Sequence, residues 1–259
     1  MKTLVALSLL CCSMRLPAQP SGMVRIPGGV FTPFLQTGAR PSKITVADFY
    51  LDKHAVTNAE FLQFVRANPS WKRSCVTRIF ADSNYLQHWA GDLDIGDPRA
   101  ANSPVTNISW FAADAYCRWK GNRLPTMTEW EYAAGAAPVH YKGRANTRHD
   151  LSRLILEWYD HPAPSILPPV MSTYRNSFGL YDMHGLVWEW VEDFNSILPA
   201  NGGPGPFVCG AGSIGTANKE DYAAYMRFAL RQSLRAEYTV RTLGFRCARD
   251  IAPRDIVKK

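Results

Sequence analysis

Gly121-Asn122-Arg123-Leu124-Pro125-Thr126-Met127-Thr128-Glu129-Trp130-Glu131-Tyr132-Ala133-Ala134-Gly135 is the stretch that decides how this chain folds. Its front, Gly121-Asn122, is a helix stop: both residues tolerate the left-handed backbone that closes a last turn. Its centre, Thr126-Met127-Thr128-Glu129, is a capping box, in which the threonine oxygen and the glutamate carboxylate each satisfy an orphan amide. Trp130, Ala133 and Ala134 follow on one face, and Gly135 ends the helix that the box begins.

Working outward, the helix stopped at Gly121 starts with Ser109 as N-cap and carries Ala112, Ala115, Tyr116 and Trp119 on one face. A second capping box, Thr57-Asn58-Ala59-Glu60, opens an earlier helix. Val56 and Phe61 form its hydrophobic staple, Phe61, Phe64 and Val65 form its apolar face, and it stops near Asn68 ahead of Pro69. Met23 to Ile26, Phe49 to His54, Leu186 to Val191 and Gly244 to Ala248 read as short strands, and residues 161–169 and 199–206 as loops. Helices and strands are few for 259 residues, no repeat stands out, and composition does not change along the chain, so a single irregular α+β domain is predicted.

Hydrophobic residues at 46% and charged residues at 20% indicate a globular protein. The formal charge is +7, but the basic residues are scattered and form no phosphate-tracking stripe, so nucleic acid is not an expected partner. Lys2, the apolar run from Leu4 to Cys12 and the segment Leu16-Pro17-Ala18-Gln19 read as a signal peptide over residues 1–19, too short to span a bilayer. A periplasmic or secreted protein is therefore expected. A lipoprotein anchored at Cys11 or Cys12 is the second reading, set back by Leu10 where a small residue belongs. Four cysteines then remain, Cys75, Cys117, Cys209 and Cys247. None lies in a metal-binding or thioredoxin-like array, and an even count in an exported chain favours disulfides with three possible pairings.

Taken together, six fragments resemble the formylglycine-generating, or sulfatase-modifying-factor, family. They are Met23-Val24-Arg25-Ile26-Pro27-Gly28-Gly29, the run from Phe49 to Phe61, Pro104-Val105-Thr106-Asn107-Ile108-Ser109-Trp110 with Tyr116-Cys117-Arg118-Trp119, the stretch quoted above, Asn176-Ser177-Phe178-Gly179-Leu180-Tyr181-Asp182-Met183 with Gly185-Leu186-Val187-Trp188-Glu189-Trp190, and Leu243-Gly244-Phe245-Arg246. They stand in the family's order. The resemblance implies one domain over residues 23–250 with a C-type-lectin-like, irregular architecture, followed by a tail over 251–259. It also implies a disulfide between Cys117 and Cys247, a closure worth up to about 5 kcal/mol on the chain-entropy model. Calcium is the structural ion of this family. The resemblance places Asn176 and Gly179 at one calcium loop and Asn146 at another, with a polar turn ahead of a strand as the alternative reading.

The active members of the family bind copper(I) with two cysteines five residues apart that precede an Arg-x-x-x-Arg run. Anchored on Arg227 and Arg231, those positions fall here at Asn218 and Ala223, neither of which supplies the thiolate that copper(I) requires. Copper is therefore not an expected cofactor. Ser213, Asn218, Tyr222, Tyr225, Arg227 and Arg231 are the candidate cleft, in what reads as a surface loop. The Trp188-Glu189-Trp190 alternation reads as core packing, with the glutamate on the opposite face. An exported accessory or maturation factor that engages a protein or peptide is the function implied. A non-catalytic lectin-like binding module and an oxidoreductase using a non-cysteine site are the alternatives. The sequence assigns no oligomeric state.

Overall fold

The computed structural model describes residues 20–32, 43–139, 148–195 and 219–251. The leader, Asn146, Cys209, Ser213, Asn218, the 199–206 loop and the tail after Ile251 lie outside the described residues.

Both capping boxes form. Helix α1 (Asn58–Ala67) is capped by Thr57, whose backbone amide is in turn received by Glu60 at 2.8 Å. Helix α2 (Trp110–Trp119) is capped by Ser109, and α3 (Met127–Ala134) by Thr126 with Glu129. Gly121 takes φ +71, the left-handed turn expected after α2. Asn58 shows how tightly the start of α1 is held. Its side-chain amide donates to the carbonyls of Ala100, Ser103 and Pro104, and its oxygen accepts from Trp89 Nε1 at 2.8 Å.

The sheets are short. β1 (Met23–Ile26), β4 (Phe49–Asp52) and β9 (Ala248–Asp250) form an antiparallel sheet with β4 in the centre, so the first and last described strands meet on the same partner. β2 (Gly29–Phe31) pairs with β3 (Ile44–Val46), and β5 (Pro138–Val139) with β6 (Arg175–Asn176). β7 (Trp188–Glu189) runs parallel to β8 (Leu243–Gly244). The single strand expected from Gly244 to Ala248 is therefore two strands. Between them the chain turns the Arg246 side chain into the core, where it is fully buried, and that breaks the ladder.

The core is aromatic. Phe61 packs on Phe64, Tyr116 and Phe245 with ring centroids 5.3–6.1 Å apart, joining α1, α2 and the β8–β9 connection. The Cys117–Cys247 disulfide, with Cα atoms 5.5 Å apart, ties the C-terminal half of α2 to β9 beside this cluster. Cys75 is exposed and free.

Two helices were not foreseen. α4 (Arg148–Tyr159) packs against α5 (Lys219–Ser233), and the latter replaces the expected surface loop. The buried face of α5 carries Ala223, Arg227, Phe228 and Arg231. These have helical spacing, but two are arginines, so the apolar period that signals a helix is absent from the sequence.

Candidate functional site

The acceptor that lets two arginines be buried is Glu131 on α3. Arg227 donates to it twice, through Nε to Oε1 at 3.1 Å and through Nη2 to Oε2 at 2.8 Å, and Arg231 Nη1 adds a bond of 2.6 Å. Burial works against the Glu131 anion, yet the two guanidiniums overcome it and hold the carboxyl well below its usual range. Arg231 also lies over the Trp130 ring at 4.7 Å. Charge inside this part of the fold is thus paired and positioned by two helices, α3 and α5.

Ala223 sits one turn before Arg227 and is 1% exposed. It is covered by Leu154 and Ile155 of α4 and by Tyr174. Its carbonyl accepts from Arg227 Nη1 at 3.1 Å and from the Tyr159 hydroxyl at 3.3 Å. The position that the resemblance matched to a copper-binding cysteine is therefore a methyl group roofed by α4. Of the candidate cleft, the structure brings Arg227 and Arg231 together around Glu131. Tyr222 instead faces outward, 42% exposed, and Tyr225 is half-buried. The reading of Arg227 and Arg231 as loop residues is corrected here: they are interior groups of a helix, held by an acid 96 and 100 residues away.

Beside them, His184 is buried against Trp130, and its Nδ1 has no hydrogen-bond partner among the described residues. Burial first, and the Arg227 charge second, push its pKa well below the usual value. A void of about 10 Å³ among Trp130, His184, Glu189, Arg227 and Arg231 has room for a single water. Glu189 is also internal, which the strand-alternation reading missed. Its carboxylate accepts Arg246 Nε and Nη2 at 2.8 Å each and Trp130 Nε1 at 2.7 Å, in a pair fully excluded from solvent. The flanking tryptophans do pack: Trp190 is buried, and Trp188 stacks on Tyr159 at 4.8 Å.

An open groove of about 590 Å³ runs between α4 and the segment 172–175. Leu154 and Trp158 give it an apolar wall, and Glu157, His161, Thr173 and Arg175 give it polar ones. That size and mixture suit a ligand or a peptide side chain rather than an ion.

The Asn176 loop has a different character. Asn176 is buried, its amide donates to the Ala133 carbonyl at 2.8 Å, and its oxygen accepts the amides of Phe178 and Leu180 at 3.1 Å each. Gly179 supplies the φ of +90 that the turn needs. A calcium ion here would have to displace both amides from the one side-chain oxygen available, so the residues as placed do not fit the ion. Among the described residues no group of three or more histidine, cysteine, aspartate or glutamate side chains could hold a metal.

The sulfatase-modifying factor enzyme 1-like domain matches residues 13–251. The serine/threonine-protein kinase pkn1 of Chlamydia caviae is 30% identical over 245 residues, covering 88% of this chain but only 38% of that protein's length. The formylglycine-generating enzyme of Streptomyces coelicolor is 30% identical, with 90% of this chain and 91% of that one covered. The inactive C-alpha-formylglycine-generating enzyme 2 of Mus musculus is 31% identical, with 89% and 86% covered. Among solved structures, PvdO from Pseudomonas aeruginosa matches with a TM-score of 0.50 at 19% identity, over 88% of this chain and 94% of that one, a likeness of fold.

Proposed function

Because this chain belongs to the sulfatase-modifying factor enzyme 1-like family, we propose that it is an accessory or maturation factor for another extracytoplasmic protein, binding a protein or peptide partner without copper-dependent formylglycine-generating activity. The observation that carries this reading is Ala223, a buried methyl under α4 at one of the two positions matched to the copper-binding cysteines. Copper(I) needs soft thiolate ligands, and neither alanine nor the asparagine matched to the other position is one. The similarity to an inactive mouse member is consistent with a scaffold kept without that chemistry. The leader over residues 1–19 belongs to the same proposal, and no helix among the described residues is long and apolar enough to cross a membrane.

The groove between α4 and the segment 172–175 is where the partner docks, since it joins an apolar wall to polar groups at ligand size. The test has two arms. Purified protein reconstituted with copper(I) and supplied with oxygen and a Cys-x-Pro-x-Arg peptide should form no aldehyde, as read by mass spectrometry; turnover would end the non-catalytic reading. Photocrosslinkers at Glu157 and Arg175, in cells that express the protein natively, should trap one defined partner that a crosslinker at the exposed Arg99 does not. Equal labelling from all three positions counts against the groove.

A further inference from the structure

A second cavity, of about 270 Å³, lies where the start of β1, the end of β4, the first turn of α1, the C-terminal end of α2 and β9 come together. It shares no lining residue with the groove above. Its walls are unusual in what they leave unpaired. Asp52 accepts the Cys247 amide at 2.8 Å through Oδ2, and Glu60 accepts the Thr57 amide and hydroxyl through Oε2. Among the described residues neither carboxylate has an ion-pair partner, and the second oxygen of each accepts no hydrogen bond. The Asn122 side-chain oxygen is buried with no partner among the described residues. The second oxygens of Asp52 and Glu60 and the Asn122 oxygen, which burial makes costly to leave unpaired, therefore line one space.

The rim is the reverse. Lys120 and Arg249 are exposed, line the same cavity and meet no carboxylate among the described residues; Lys120 lies only against the Trp119 ring at 5.7 Å. An acceptor floor below a cationic rim fits a molecule that carries an ammonium at one end and a carboxylate at the other. The volume is far larger than a bare cation requires and falls near the lower limit for small-molecule sites. We propose that this cavity binds a small zwitterion of free α-amino-acid size, its ammonium on Asp52, Glu60 and Asn122 and its carboxylate on Lys120 and Arg249.

Asp52 gives the site a proton signature. Burial pushes its carboxyl up to about 7. The Cys247 amide and the Arg246 and Lys120 charges oppose that shift, while the Glu60 charge adds to it. Tyr116 and His54 also line the cavity. The Tyr116 phenol is pushed up by burial and by the charges of Glu60 and Asp52, so it stays neutral and does not compete for the ammonium. An ammonium needs the Asp52 anion, so binding weakens as Asp52 takes up its proton.

The experiment is calorimetric titration of the full chain with the proteinogenic L-amino acids, each hit compared with its carboxamide and its N-acetyl derivative. At least one parent should bind. Both derivatives should bind at least about tenfold more weakly, since each lacks one charge. Affinity should fall roughly twentyfold from pH 7.5 to pH 5.5, following the ionised fraction of a group at about 7. Asp52→Asn, which keeps an acceptor for the Cys247 amide, and Lys120→Met on the exposed rim should each weaken binding by a similar factor while circular dichroism shows both variants folded, each with a cooperative melt. The proposal is overturned by no binding of any amino acid up to about 10 mM, by derivatives that bind as well as their parents, or by either folded variant binding like wild type.

Discussion

Two buried groups, His184 and Asp52, have pKa values shifted in directions that pull stability opposite ways with pH. His184 is 2% exposed and its imidazole is held neutral, its pKa well below normal. In the unfolded chain it takes up a proton below about 6.5, so its contribution is whole above that pH and is lost as pH falls. Asp52 has its pKa raised from 3.8 to about 7, so the folded state keeps a proton that the unfolded chain has released. Its contribution is whole below about 4 and is lost as pH rises through about 7. Between these limits each group adds a slope of up to about 1.4 kcal/mol per pH unit, of opposite sign, and the two offset each other. Urea unfolding from pH 4.5 to 6.5 should therefore show His184→Gln losing stability as pH rises, relative to wild type, and Asp52→Asn gaining it. Parallel curves for the three proteins would contradict both assignments. Neither group announces itself in the sequence. Asp52 falls inside the strand read from Phe49 to His54 and His184 lies unremarked between two quoted fragments, because the burial that shifts them comes from elements far away in the chain. The Glu189–Arg246 pair was hidden for the same reason: charge partners 57 residues apart leave no local pattern.

At the scale of elements, legibility follows the chemistry of each helix start. α1, α2 and α3 were readable because Thr57, Ser109 and Thr126 satisfy the first amides from within their own segments. α5 was not, because its inner face is made of Arg227 and Arg231 and makes sense only once Glu131 of α3 is opposite. The same fact makes α5 vulnerable. Glu131→Gln removes the anion and leaves two guanidiniums buried against a neutral amide, a loss of about 3–5 kcal/mol in comparable buried pairs. The damage should be local. Hydrogen exchange should show α5 amides losing protection well before those of α1, whose cap and aromatic contacts are untouched. Equal protection in α5 of wild type and variant would mean that apolar contacts, not the Glu131 network, hold this helix in place.

For the whole molecule, order along the chain carried more information than any one element. Six short fragments in sequence implied the domain and the Cys117–Cys247 bond, and both are present. What could not be read was how the ends meet. β1 and β9 both pair with β4, and nothing in a three-residue strand such as β9 specifies a partner more than a hundred residues distant. The disulfide addresses that difficulty. It closes 130 residues and ends at Cys247, immediately before β9, so it shortens the search for the strand that completes the central sheet. On the chain-entropy account, removing it costs up to about 5 kcal/mol, felt chiefly through a freer unfolded chain. For a domain of this size each kcal/mol corresponds to about 2–4 °C in Tm, so Cys117→Ala/Cys247→Ala should melt roughly 10–20 °C lower. Because the bond limits the unfolded ensemble, refolding should slow more than unfolding accelerates, and stopped-flow fluorescence of the buried tryptophans can separate the two. A double variant that melts within about 2 °C of wild type would show that the aromatic cluster of α1, α2 and Phe245 closes the fold without covalent help.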